Sequence, residues 1–191
     1  SHLKPHFRVI AYDLRGHGKS PTPAPPYTLD DLVEDLEALR AELGIDKAHF
    51  AGHSLGGMIG PAYARKCPRH VLSLGLYSTA AFRTGDDSAK VKGVVAAMRT
   101  KGIAPVLESL KDRWFTPEFA AKRPDVIERR MQQVIDTNRD VFLSVFDIYA
   151  ETEMAPWLHE VEAPSLVLTG ENDGGCNPRL NRLIAAALPR S

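Results

Sequence analysis

Apolar positions along the chain fall into two kinds of pattern: short continuous runs, and stripes repeating every three to four residues. Phe7–Tyr12 (FRVIAY) is a continuous run with β-branched and aromatic residues, and it predicts a buried parallel strand. The proline-rich stretch Ser20–Pro26 must be loop. Leu32, Leu36, Leu39 and Leu43 then share one helical face. Thr28 is placed to cap that helix, with Asp31 three residues on as a capping-box partner, and Gly44 closes it. Ala48, Phe50 and Ala51 mark a second strand. A glycine-rich turn and a helix to about Lys66 follow, stopped by Pro68, and Val71–Tyr77 (VLSLGLY) forms the next strand. Strand, helix, strand, helix, strand is the order of a parallel sheet wrapped by helices.

Between Ala80 and about Met154 only helical stripes occur, among them Val91/Val94/Val95/Met98, Val126/Ile127/Met131/Val134 and Val141/Phe142/Val145/Phe146/Tyr149. This is an all-helical insertion. Strand character returns at Ser165–Thr169, after Pro164, and Pro178–Leu188 is a last amphipathic helix. The expected fold is α/β, a mostly parallel sheet flanked by helices with a helical cap insertion. Residues 1–79 and 155–191 form the two parts of the core and residues 80–154 form the cap. Pro61 is an irregularity, since a proline inside the helix after the second strand removes a backbone donor.

Composition narrows the partners. The 191 residues carry 24 Lys+Arg and 24 Asp+Glu, so no basic field suits nucleic acid or an acidic membrane surface. No apolar run approaches the ~20 residues of a membrane helix, and the polar amino end lacks the apolar core of a signal peptide. Two cysteines, Cys67 and Cys176, are too few for a disulfide framework and are not spaced as metal ligands. The expectation is a cytoplasmic protein acting on a small molecule, with no metal and no cofactor.

The chemistry concentrates at Gly52-His53-Ser54-Leu55-Gly56-Gly57, a G-x-S-x-G match lying between a strand and a helix. In that setting Ser54 sits on a sharp strained turn as a nucleophile, with Gly52 and Gly56 expected to be the small neighbours the turn demands. The backbone N–H of Leu55, at the start of the helix, is the expected oxyanion donor. Taken with this elbow, the chain resembles the α/β-hydrolase superfamily over essentially its whole length. Asp13-Leu14-Arg15-Gly16-His17-Gly18-Lys19-Ser20 is similar to its D-x-R-G-x-G-x-S loop. Gly170-Glu171-Asn172-Asp173 is similar to the G-x-x-D that supplies its triad acid. The resemblance implies that Asp173 orients an imidazole; the plainer role is a turn aspartate before Gly174-Gly175. Arg113-Trp114-Phe115-Thr116-Pro117 resembles a segment of 3-oxoadipate enol-lactonases.

Two features depart from the superfamily pattern. No histidine follows Asp173, and the superfamily's first three strands have no counterpart before Phe7. The expectation is an internal fragment of a longer hydrolase with a gap in mid-sheet, nearly inactive alone because the triad histidine is missing. His53 is expected to point away from Ser54 and His17 to serve loop packing. Trp114 and Phe115 are candidates for the acyl-pocket wall or for the cap core. Arg113, Arg129 and Arg130 are candidates for a substrate carboxylate or for a solvated helix face. The expected activity is hydrolysis of an ester or lactone through an acyl-enzyme, with an enol-lactone of a dicarboxylic acid as leading substrate. A C–C hydrolase, acyltransferase or perhydrolase uses the same triad, and a binding protein that has kept only the pocket is the non-enzymatic alternative. Dehalogenases and epoxide hydrolases of the superfamily place Asp where Ser54 stands.

Overall fold

A computed structural model describes residues 2–191. Three parallel strands, β1 (Ala48–His53), β2 (Val71–Tyr77) and β3 (Ser165–Leu168), form one sheet in the order β1-β2-β3. Helix α1 (Leu29–Glu42) precedes β1, α2 (Gly56–Lys66) joins β1 to β2, and α8 (Pro178–Ala187) follows β3. Between β2 and β3 run five helices, α3 (Gly85–Lys101), α4 (Ile103–Trp114), α5 (Pro117–Lys122), α6 (Pro124–Asp136) and α7 (Arg139–Glu151).

Local rules explain the element ends. Thr28 accepts from the Asp31 N–H while the Asp31 carboxylate accepts from the Thr28 N–H, a complete capping box at α1. At its other end Gly44, at φ +63°, lets its own N–H reach the Ala41 carbonyl and the Ile45 N–H reach the Arg40 carbonyl. Pro61 lies inside α2, buried, and the helix is continuous across it.

Strand alternation then decides what is buried. Phe50, Leu74, Leu76 and Val167 share one sheet face, where they pack with Met58 of α2 and Ile184 of α8. A second cluster joins Leu32, Val33 and Leu36 of α1 to Ile59 and Tyr63 of α2 and to Val141, Val145 and Ile148 of α7. A third lies among the inserted helices, from Met98, Leu107 and Met131 to Phe142 and Leu143. Helix α7 thus faces both ways, with Val141 and Val145 on the core and Phe142 and Leu143 on the other inserted helices.

The inserted helices begin and end at one neck. The Glu153 carboxylate accepts from the N–H groups of Phe82, Arg83 and Ala155 at 2.9, 3.2 and 2.9 Å. Arg83 donates to the Thr152 carbonyl at 3.1 Å, and its guanidinium lies 4.4 Å from the Tyr149 ring centroid.

One expected element is corrected. Phe7–Tyr12 is not a strand: it forms no ladder, and Phe7, Val9, Ile10 and Tyr12 are exposed. A parallel strand exists only beside a neighbour that accepts its hydrogen bonds. Among the described residues no strand pairs with the outer edge of β1, so the segment touches the sheet through an edge-on contact of Phe7 with His49.

Candidate active site

Ser54 stands where β1 ends and α2 begins, at φ +53°, a backbone conformation uncommon for a residue with a side chain. Surrounding bonds hold it there. The Ser54 N–H donates to the Tyr77 carbonyl at 2.9 Å, and its own carbonyl accepts from the Gly57 N–H and the Thr79 hydroxyl, each at 2.9 Å. Strain maintained in this way clusters at functional sites. A Cβ at Gly52 would lie 2.1 Å from the Gly56 carbonyl oxygen, and one at Gly57 would lie 2.6 Å from the Thr79 Cβ. A Cβ at Gly56 would meet nothing within 4 Å. The turn therefore demands glycine at 52 and 57, and the expected steric demand at 56 is corrected.

Helix α2 opens with the N–H groups of Gly57 and Met58 bonded back to the Ser54 and Leu55 carbonyls. The N–H groups of Leu55 and Gly56 are left without acceptors inside the helix, at its positive end. That is the arrangement an oxyanion requires.

Asp173 lies on the loop after β3. One carboxylate oxygen accepts from the N–H groups of Gly175 and Cys176 at 2.9 and 2.7 Å, which fixes the side chain within its own turn. The Thr169 hydroxyl donates to the Cys176 carbonyl at 2.7 Å and lies 3.4 Å from the second carboxylate oxygen.

Ser54, Leu55 and Asp173 border one broad cavity of about 1400 Å³. Its far wall comes from the inserted helices and includes Arg113, Trp114, Phe115, Arg129, Arg130 and Phe146. Every residue singled out from the sequence for chemistry or substrate contact therefore reaches the same space. Trp114 is 38% exposed, and Phe115 stacks on Phe119 with ring centroids 5.8 Å apart. His17 and His53 border the cavity as well. His17 is tied to the Arg15 carbonyl at 3.0 Å, and His53 is exposed. Arg15 itself pairs with Asp31 and Asp35, fastening the loop to α1.

Cys176 also borders the cavity, with its sulfur 3.2 Å from the Tyr149 hydroxyl. Burial pushes its thiol pKa up, so the reactive thiolate is disfavoured. Cys67 and Cys176 are both free. Among the described residues no group of three or more His, Cys, Asp or Glu could hold a metal ion, and no helix is long and apolar enough to cross a membrane.

Sequence reasoning missed Thr79 and Asn181, both buried behind the cavity wall. The Asn181 amide donates to the carbonyls of Thr79, Cys176 and Asn177 at 3.1, 2.7 and 3.2 Å. Thr79 and Asn181 lie 102 residues apart, a separation at which no local spacing signals contact.

Comparison with known proteins places these features in context. The alpha/beta hydrolase fold family matches residues 1–191. The 3-oxoadipate enol-lactonase 2 of Acinetobacter baylyi is 32% identical over 91% of this chain and 64% of its own length. The enol-lactonase from Burkholderia xenovorans LB400 is similar in structure, with TM-score 0.89 and 28% identity over 98% of this chain and 72% of that one. A hydrolase from Pseudomonas aeruginosa PA01 gives TM-score 0.88 and 33% identity, over 98% of this chain and 70% of that one. The chain spans just under two thirds of the length of the curated enol-lactonases it matches.

Proposed function

Because this chain belongs to the α/β-hydrolase family, we propose that it carries the nucleophile and acid of a serine hydrolase acting on carboxylic esters or lactones. The Ser54 hydroxyl attacks the acyl carbonyl and loses its proton to an imidazole oriented by Asp173. The resulting oxyanion is met by the Leu55 N–H at the positive end of α2. Collapse expels the alcohol, or opens the lactone ring, and leaves an acyl group on Ser54. Water activated by the same imidazole then releases the acid. No histidine follows Asp173 in the chain, so this reading takes the base from outside these 191 residues and leaves them nearly inactive alone. The inserted helices act as the cap, closing the cavity over the acyl group.

The observation that carries the reading is Ser54 held in the left-handed region at the strand–helix junction, in the same cavity as Asp173. Arg113, Arg129 and Arg130 on the cap wall suit a substrate with its own carboxylate, and an enol-lactone of a dicarboxylic acid is the leading candidate.

A fluorophosphonate probe and a panel of esters and lactones, with and without a carboxylate, test this on the longer protein that carries the segment. The probe is expected on Ser54, and Ser54→Ala is expected to lower hydrolysis by about 10⁴-fold or more. Turnover undiminished in that variant would defeat the proposal.

A further inference from the structure

Resting on the reading of Ser54 as nucleophile, we propose that Asn181 of α8 is a positioning residue. It holds the nucleophile turn in its strained shape through Thr79 and ties that turn to the Asp173 loop. Three carbonyl oxygens, of Thr79, Cys176 and Asn177, converge on one amide nitrogen of a side chain that is 5% exposed. Only a donor is tolerated there, since the flipped amide would set its oxygen against all three. The Asn181 side-chain oxygen is itself buried without a partner. This feature marks a side chain held for its donor end.

The three acceptors are not equally dependent on Asn181. The Cys176 carbonyl keeps the Thr169 hydroxyl, and the Asn177 carbonyl keeps the Asn181 backbone N–H within α8. Thr79 has no second donor of this kind among the described residues. Loss of the amide therefore falls on Thr79, and Thr79 is the residue whose hydroxyl holds the Ser54 carbonyl and whose Cβ sits against Gly57. The loop around Thr79 needs such a restraint. Ser78 and Phe82 flank it at φ +44° and +61°, two further residues with side chains in the left-handed region. On the far side, Cys176 donates its N–H to Asp173. One amide on α8 thus spans the two loops that present the proposed nucleophile and acid.

The test is amide hydrogen exchange on the 191-residue chain, comparing wild type with Asn181→Leu, which keeps the branching at Cγ and removes the donor. The Ser54 and Gly57 amides, bonded to the Tyr77 and Ser54 carbonyls, are expected to exchange about tenfold faster or more, while those of Leu74 and Ile59 hold. Should the Leu variant fail to fold, Asn181→Ser replaces it: its short hydroxyl can still bond within α8 but cannot reach Thr79. Thr79→Val is expected to speed the same two amides, and combining it with the Asn181 change should add little, since both cut one chain of contacts. In the longer protein, Asn181→Leu is expected to lower kcat about tenfold with KM unchanged. The proposal is overturned if the response stays within residues 176–185, if Leu74 and Leu76 accelerate equally, or if the two substitutions simply add. If the longer wild-type protein is inert to every ester while the turn still responds in exchange, the hydrolase reading is refuted and the positioning role stands.

Discussion

On one face of the sheet Leu74 and Leu76 are 2% and 1% exposed, beneath α2 and α8; on the other, Leu166 and Leu168 are 58% and 57% exposed. The side chains are identical and the strands adjacent, with Gly75 paired to Leu166 and Tyr77 to Leu168. Only the covering differs. Burial of leucine is therefore set by the layer that packs on it and not by the strand that carries it. An α/β sheet needs helices on both faces, and the described residues supply them on one. The site belongs to the furnished side, because α2 both covers that face and presents the proposed oxyanion donors.

Direct substitution gives the largest contrast. Leu76→Ala is expected to cost about 2–5 kcal/mol, as buried leucine truncations do. Leu168→Ala is expected to stay within about 0.5 kcal/mol. Paired urea titrations read both, and equal losses would break the comparison. Next in size is Thr28→Ala at the capping box of α1, expected to cost about 1 kcal/mol by the same measurement. A loss near zero would mean that the covered side holds α1 by packing alone.

The smallest effect is electrostatic. Hydrogen bonds from Arg40 and Tyr63 hold the Glu37 carboxyl down at about 2, against an ordinary value of 4.5. A depressed carboxyl stabilises the fold fully above about 4.5, and the contribution drains away as pH falls toward about 2. Wild type should exceed Glu37→Gln by about 1 kcal/mol or less at neutral pH, since the Glu37 carboxylate is only partly shielded from solvent. Thermal melts from pH 7 to 2 should show that difference closing only in the acid window. A pH-independent gap would assign it to packing.

These contrasts also separate what was legible in the sequence from what was not. The capping box at Thr28, the strand ends and the turn at Ser54 are local demands on backbone shape, and residue type at fixed spacing reports them. The Phe7–Tyr12 pattern records suitability for burial between strands, but pairing requires a neighbour that periodicity does not contain. Assigning steric demand to Gly56 instead of Gly57 fails for a related reason, because the side chain that approaches Gly57 comes from Thr79. Asn181 looks like any helix-face asparagine until three distant carbonyls are seen around it.

The Glu153 neck carries an evolutionary consequence. Because one carboxylate fastens the first and last residues of the inserted stretch, the length of polypeptide between them weighs little on the sheet; doubling a flexible loop costs only about 0.6 kcal/mol. Glu153 ties residues 82 and 83 to residue 155, and of the five helices α7 is the one bound to the core, because it also packs on α1 and α2. On the proposed reading of these helices as a cap, selection can redraw the roof of the chamber, and with it the molecules admitted, without touching the floor that carries Ser54.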